Sequence, residues 1–219
     1  MATPVGHSLL GFAIGKLTGG SGAMSPWRWY AFCAVAANAP DLDFLPGLFA
    51  GDVNRFHQSA SHSLVAALIF GLAVALVALL SRHRVVRGGI AGVGLYASHL
   101  LLDLFGEDNR APFGIFLLWP FSSQYFTAPW SVFEGVKHGV PGEDLSTFVG
   151  HVFSWANVGV VALEIVTLSP FLLLTWYVTR RPMRDHQLNN RSGTFGAAEQ
   201  EGQIPNVSSR LRKKPAPGQ

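Results

Sequence analysis

The fold class this sequence predicts is all-α, a multi-pass membrane bundle, and three observations predict it. The 219 residues are 49% hydrophobic and only 13% charged, where an average soluble domain carries about 25% charged residues. Mean hydropathy is +0.29. Half of the sixteen Lys and Arg lie beyond Thr179, which leaves the preceding residues poorer still in charge. The apolar residues also gather in five continuous runs instead of alternating, the pattern of helices in lipid. The net charge of +3 comes from the C-terminal tail, so the expected partner is the lipid bilayer and no nucleic acid is expected. The single cysteine, Cys33, sits among apolar residues as a small core side chain. The opening MATPVGHSLLG has no basic n-region and no Ala-x-Ala site, so no cleaved secretory signal is expected.

The first run, 9–17, is interrupted by Gly11 and Gly15, and the second, 27–39, stops at Pro40. The third, fourth and fifth cover 63–80, 85–105 and 157–178. Each of these three has roughly the 20 residues that cross a bilayer core. About five apolar helices are therefore expected. Gly88, Gly89, Gly92 and Gly94 in the fourth run let membrane helices approach closely. Residues 105–148 are rich in Pro, Gly and aromatics, and Trp119, Tyr125 and Trp130 suit a membrane–water interface. From residue 185 the chain turns polar and ends basic. That composition predicts a disordered tail over 185–219 and a membrane domain over 1–184.

Alternation of the five runs sorts the cations. Lys16, Arg28, Arg82, Arg84, Arg87, Arg180, Arg181 and Arg184 fall on one side, and Arg55, Arg110 and Lys137 on the other. Eight to three places the first side, with the tail, in the cytoplasm. The polar residues that the apolar pattern leaves unexplained then share the opposite, outward ends. They are His7 before run one, Asp41 and Asp43 after run two, His57 and His62 before run three, and His99 and Asp103 near the end of run four. Glu164 lies one or two turns inside run five, toward the same face.

Each piece has an ordinary explanation when taken alone. His99 and Asp103 share a helix face at i, i+4 and can simply hydrogen-bond each other. Asp41 and Asp43 follow Pro40 and can be solvated residues of a helix-ending turn. His57 and His62, in HQSASHS, are spaced i, i+5, which fits no single helix face. That spacing predicts one residue in the approach loop and one in the first turn of run three, with Ser59 or Ser61 as cap and Ser63 beside the histidines. Taken together, four His and three Asp converge on one face of a low-charge bundle. Ionisable groups at a membrane are costly and mark function. Imidazole and carboxylate suit Zn, Mn or Fe, and seven donors exceed one four-coordinate zinc. Divalent ions, Zn or else Mn, two or more of them, are therefore expected on His7, Asp41, Asp43, His57, His62, His99 and Asp103. Glu164 is the candidate outer-shell or base residue, and hence the candidate catalytic one. A nucleophile elbow, a Walker loop and a dinucleotide fingerprint are all missing. His83, His138, His151 and His186 stand off the constellation, with His151 the one placed to reach it.

In order, His7, Pro40-Asp41-Leu42-Asp43, His57 with His62-Ser63, His99 with Asp103, and Leu117-Leu118-Trp119-Pro120-Phe121-Ser122 resemble the motif series of the membrane-bound metal-dependent hydrolases, also called LexA-binding, inner-membrane-associated hydrolases. The resemblance covers residues 1 to about 178. It implies a metal-dependent hydrolase of the inner membrane. The Arg usual after the first His of the H-x4-HS motif is Gln58 here, so that cation is missing. The same order of His and Asp distantly resembles zinc-dependent phospholipase C and single-strand nucleases, which favours phosphoester chemistry. The expected function is hydrolysis of an ester or phosphoester, lipid-linked because the site lies at the interface. The rival is a non-enzymatic membrane protein with a structural or sensory metal site. A metal-ion carrier would place its ionisable groups at mid-membrane, whereas these lie at helix ends.

Overall fold

Helices form over all five apolar runs, and two short ones are added. The structure is a computed structural model that describes residues 1–18, 24–108, 111–137, 139 and 144–200, with 181–200 described by their backbone. Thr3 caps α1 (Pro4–Leu17) by accepting from the Gly6 N–H, and Pro4 takes the first-turn position where its missing N–H is harmless. Pro26 likewise starts α2 (Pro26–Ala37). The chain then tightens into a 3-10 turn, Ala39–Asp43, and continues as α3 (Phe44–Phe49). A second 3-10 turn, Ala60–His62, leads into α4 (Leu64–Leu80), and α5 (Val85–Leu104) returns antiparallel to it. After the aromatic-rich segment come α6 (Leu145–Val152), capped by Asp144 accepting from the Thr147 N–H, and α7 (Trp155–Gln200). Among the described residues there is no strand, only the isolated bridges Gly106–Phe133 and Ile115–Phe126.

About five apolar helices are expected, three of them of bilayer length, and the structure supports part of this. Among the described residues, only α5 and the apolar part of α7, Trp155–Arg180, are long and apolar enough to cross a membrane. The helix α4 has 17 residues because Ser63 is its cap and not its first residue. At ~1.5 Å per residue it extends about 26 Å, short of a roughly 30 Å hydrocarbon core. α1 and α2, with 14 and 12 residues, are shorter again.

Helices α1, α2 and α4 all pack on α5, and α1 packs on α2. Glycine makes the α4–α5 contact possible: a Cβ at Gly92 would lie 3.0 Å from the Cβ of Val74. One apolar cluster joins Trp29, Cys33, Ala36, Ala91 and Leu95, and another joins Ala67, Tyr96, Leu100 and Ile115. The outside is apolar too. Leu68, Ile69, Leu72, Leu76 and Leu80 of α4 and Val166, Leu173 and Leu174 of α7 are all exposed. His7, His62, His99 and Glu164 meanwhile have at most 1% exposure. Polar groups inside and leucines outside suit lipid as the surrounding solvent.

The chain divides into two units, Met1–Thr179 and Arg180–Gln219. In the second unit the backbone is helical to Gln200. The predicted tail, 185–219, thus falls partly on helical backbone, and its residues 201–219 lie outside the described residues.

Candidate metal centre

Five pieces of backbone deliver the site. One turn into α1, His7 stacks its ring on that of His99, with centroids 3.7 Å apart and planes 13° off parallel. Two buried imidazoles this close cannot both carry charge cheaply, so at least one offers a neutral lone pair. The 3-10 turn that contains Pro40 places Asp41 and Asp43 on the bundle's end, where it packs against α5 and the second 3-10 turn.

The i, i+5 pair His57 and His62 meets through a turn that the spacing left undetermined. Gln58 takes a left-handed backbone, φ 62°, uncommon for a residue with a side chain. Its carbonyl accepts from the Phe116 N–H, which fastens the turn. The serine roles also differ from expectation. Ser63 caps α4 by accepting from the Ala66 N–H, and Ser59 donates to the Phe56 carbonyl. It is Ser61 that touches the cluster, donating to Asp43 Oδ2 at 2.6 Å and lying 3.0 Å from His62 Nδ1. Its own carbonyl accepts from the Tyr96 hydroxyl of α5. The Leu117 carbonyl, at the start of the LLWPFS segment, accepts from the Leu64 N–H and so steadies the beginning of α4.

Four atoms converge most tightly. His99 Nε2 lies 3.1 Å from Asp103 Oδ2, 3.2 Å from His62 Nε2 and 3.3 Å from Asp41 Oδ1. His62 Nε2 lies 3.3 Å from Asp103 Oδ2 and 3.7 Å from Asp41 Oδ1. His7 Nε2 adds a contact of 3.4 Å to Asp103 Oδ1. The tautomers are set from behind. His99 Nδ1 donates to the Ala37 carbonyl at 2.8 Å, and His62 Nδ1 faces Asp43 Oδ2 at 3.2 Å. In its neutral form each ring would turn an Nε2 lone pair inward. Among the described residues, neither nitrogen of His7 has a hydrogen-bond partner, nor do Asp41 Oδ1 and Asp103 Oδ2, though all are buried. Buried acceptors without donors call for a proton or a cation.

Three triads have ligand atoms within 4.8 Å of one another: His7–Asp41–His99, Asp41–His57–His62 and His62–His99–Asp103. They share Asp41, His62 and His99, so adjacent ions would have common ligands. Asp43 sits differently, since its oxygens meet the Nδ1 atoms of His57 and His62 at 2.8 and 3.2 Å. A carboxylate so placed can orient both rings, as carboxylates behind metal-bound histidines do. Phe44 holds the face of His57 by stacking at 3.9 Å. Glu164 stands apart from the triads: it accepts from the Thr3 N–H at 2.5 Å, the Gly6 N–H at 3.1 Å and the Thr3 hydroxyl. It thereby anchors the start of α1, one turn before His7. His151 is exposed on α6 and outside the triads, and His138 lies outside the described residues.

Electrostatics follow this geometry. Burial opposes charge on His62, but Asp103, Asp41 and Asp43 outweigh it and lift the imidazole well above its usual range. Burial would raise Asp41, yet the charge of His99 and hydrogen bonds from His62 and His99 hold it well below the usual carboxylate range. Asp43 resists burial in the same way and is held at about 2 by His57 and His62. His57 goes the other way, because burial outweighs Asp43 and keeps it neutral.

One contact carried no sequence signal: the Ala2 backbone N–H donates to Asp103 Oδ1 at 3.1 Å. Nothing in the identity of an alanine marks such a bond.

Comparison with known proteins agrees with a membrane location. The chain is 31% identical to the inner membrane protein YbcI of Escherichia coli (strain K12) over 141 residues, 61% of this chain and 76% of that protein. No solved structure matches. The family model of the YdjM inner membrane proteins matches residues 1–182, the whole helical bundle with its His/Asp cluster, and the chain belongs to that family.

Proposed function

We propose that this protein is a multi-pass, metal-dependent hydrolase of the inner membrane that acts on an ester or phosphoester of a lipid-linked substrate. The observation that carries this reading is the quartet His62 Nε2, His99 Nε2, Asp103 Oδ2 and Asp41 Oδ1, with five separations of 3.1–3.7 Å. A tetrahedral ion with ligands at ~2.0–2.1 Å requires ligand–ligand edges of about 3.3–3.4 Å. The donors are imidazole and carboxylate with no thiolate, which suits Zn, or Mn as the alternative. The linked triads favour two or more ions. When bound, such ions supply Lewis acidity toward a phosphoryl or carbonyl oxygen and a water acidified to a pKa of about 7.

The residues divide the remaining work. His62, His99, Asp41 and Asp103 hold the ions, and His7 and His57 complete the adjacent triads. Asp43 and Ser61 fix ring orientation. Exposed aromatics near this end, Phe49 on α3 and Phe121 in the LLWPFS turn, are 89% and 87% exposed and suit immersion among lipid headgroups. A lipid-linked substrate would then meet the site from the membrane. The eight-to-three split of Lys and Arg supports an outward site and a cytoplasmic tail. A cytoplasm-only reporter is expected to work when fused after Arg184 and to be silent near Gly142.

One observation favours a second reading, a structural or sensory metal site. His7, His62 and His99 are fully buried, and closed sites are typically structural. The deciding experiment is metal analysis of the purified protein followed by a lipid and phosphoester panel with the stripped and reloaded forms. Metal-dependent turnover supports the hydrolase. Stoichiometric metal without turnover of any panel member supports the second reading. A folded protein that binds neither Zn nor Mn sinks both.

A further inference from the structure

The strongest feature outside the His/Asp cluster is a groove of about 580 Å³ between α2, α4 and α5. It lies at the far end of α5 from the cluster. Arg87 on its rim and His99 are 12 residues apart, about 18 Å along the helix at ~1.5 Å per residue. Along its length the groove is apolar, lined by Trp29, Phe32, Phe70 and Val77. At one end the lining changes to Ser81, His83, Arg84 and Arg87. Both arginines are exposed, and neither pairs with a carboxylate among the described residues. Spaced i, i+3 at the start of α5, they share a face. Beside the groove α4 presents Leu72, Leu76 and Leu80 outward, so its side borders hydrocarbon.

We infer that this groove is a binding site for an anionic phospholipid, with an acyl chain along the apolar length and the phosphate on Arg84 and Arg87. The volume falls within the roughly 300–1,000 Å³ of small-molecule sites. Guanidinium pairs grip phosphate oxygens in bidentate fashion, while Ser81 and His83 add further donors. A free phosphate would leave the apolar length unused. A zwitterionic choline lipid would bring its own cation against two arginines. Charge and apolarity meet at one boundary, as they do in an anionic lipid.

The test uses the whole protein in phosphatidylcholine vesicles titrated with phosphatidylglycerol carrying brominated acyl chains, and reads the quenching lost in the Trp29→Phe variant. That Trp29 component should saturate at a low fraction of brominated phosphatidylglycerol and respond only weakly to brominated phosphatidylcholine. Each arginine near a membrane surface strengthens anionic-lipid binding by a factor of about five. Arg84→Gln with Arg87→Gln should therefore weaken the preference about 30-fold, whereas Arg84→Lys with Arg87→Lys retains most of it. Arg55→Gln, outside the groove, should change nothing. Equal quenching by both lipids, an undiminished preference in the double Gln variant, or an equal loss with Arg55→Gln would overturn the site. So would full competition by soluble glycerol phosphate, which would reduce the groove to a phosphate site.

Discussion

The two halves of α5 solve different problems with the same backbone. From Val85 to about Gly94 its inward face is small, and Gly88, Gly89 and Gly92 bring α4 so close that each added Cβ would meet Ala78, Ala75 or Val74 within 3.2 Å. From Leu95 to Leu104 seven of the ten residues are buried, His99 and Asp103 among them. The first half gains stability from close van der Waals approach, which is how helices associate where lipid removes the hydrophobic drive. The second half keeps charged groups in a low-dielectric core and must give each one a partner. One half tolerates loss of a contact gradually. The other is a network in which removing one member strands the rest.

The sharpest way to break the contrast is to remove a member of the network. His62→Ala and Asp103→Ala each delete an atom from the tightest quartet, and Asp103 is also the acceptor for Ala2. Each variant should lose metal to near zero, read as metal per chain in the purified protein, together with any hydrolytic turnover. His186→Ala, beyond the last apolar helix stretch, should keep both. Equal metal content in all three would mean that the cluster is a proton-sharing polar core.

Asp43→Asn sharpens the same comparison from outside the quartet. Asp43 meets His57 and His62 at their Nδ1 atoms, so the change leaves the inner atoms in place and removes the charge behind two rings. Carboxylates in that position are worth 10–100-fold in metal affinity. A titration with a competing chelator should show a loss in that range, with metal still bound at saturation. Complete loss would instead make Asp43 a direct ligand.

How much of this was legible in the sequence depends on whether the information lay in side-chain type or in backbone conformation. The helices were legible because apolar runs are long and residue types mark them. So was the grouping of His7, Asp41, His57, His62, His99 and Asp103 at one end, because alternation of the runs dictates it. The short α3 and α6 were not, since six or eight residues carry too little periodicity. The left-handed turn at Gln58 was hidden because glycine or asparagine usually signals that conformation. Among Ser59, Ser61 and Ser63 the capping role is decided by tertiary position, which three like residues in five do not reveal. Glu164 could be placed on the correct face, but its partners are backbone N–H groups of Thr3 and Gly6, and backbone has no letter in the sequence.

The glycine half of α5 is tested by Gly92→Leu. A side chain there must displace Val74, whose Cβ is 3.0 Å from where the new Cβ would sit. Overpacking of this kind costs about 1–3 kcal/mol. Thermal unfolding in detergent should move down, while metal per chain stays unchanged because the site lies two turns away. Loss of metal together with stability would mean that the two halves of the helix act as one.

The smallest effect expected lies at the junction between α1 and α7. Glu164 accepts from the N–H groups of Thr3 and Gly6 and from the Thr3 hydroxyl, so a buried carboxylate caps α1 where the helix dipole favours negative charge. The stacked pair His7 and His99 depends on where that helix begins. Glu164→Gln keeps the shape but replaces one acceptor oxygen by a donor that faces N–H groups. Hydrogen bonds to charged acceptors contribute about 1.5–3 kcal/mol, and part of that remains through the amide oxygen, so a loss of about 1 kcal/mol is expected. Thr3→Val should cost a similar amount. Because the two changes break one shared contact, the double variant should cost less than their sum. If Glu164 acts only by positioning, turnover should fall with metal affinity and recover when metal is raised to saturation. If it serves as a base, turnover should stay low at saturating metal, and the pH profile should lose one limb. The second outcome would join α7 to the His/Asp cluster that α1, α5, the Gln58 turn and the two 3-10 turns otherwise build.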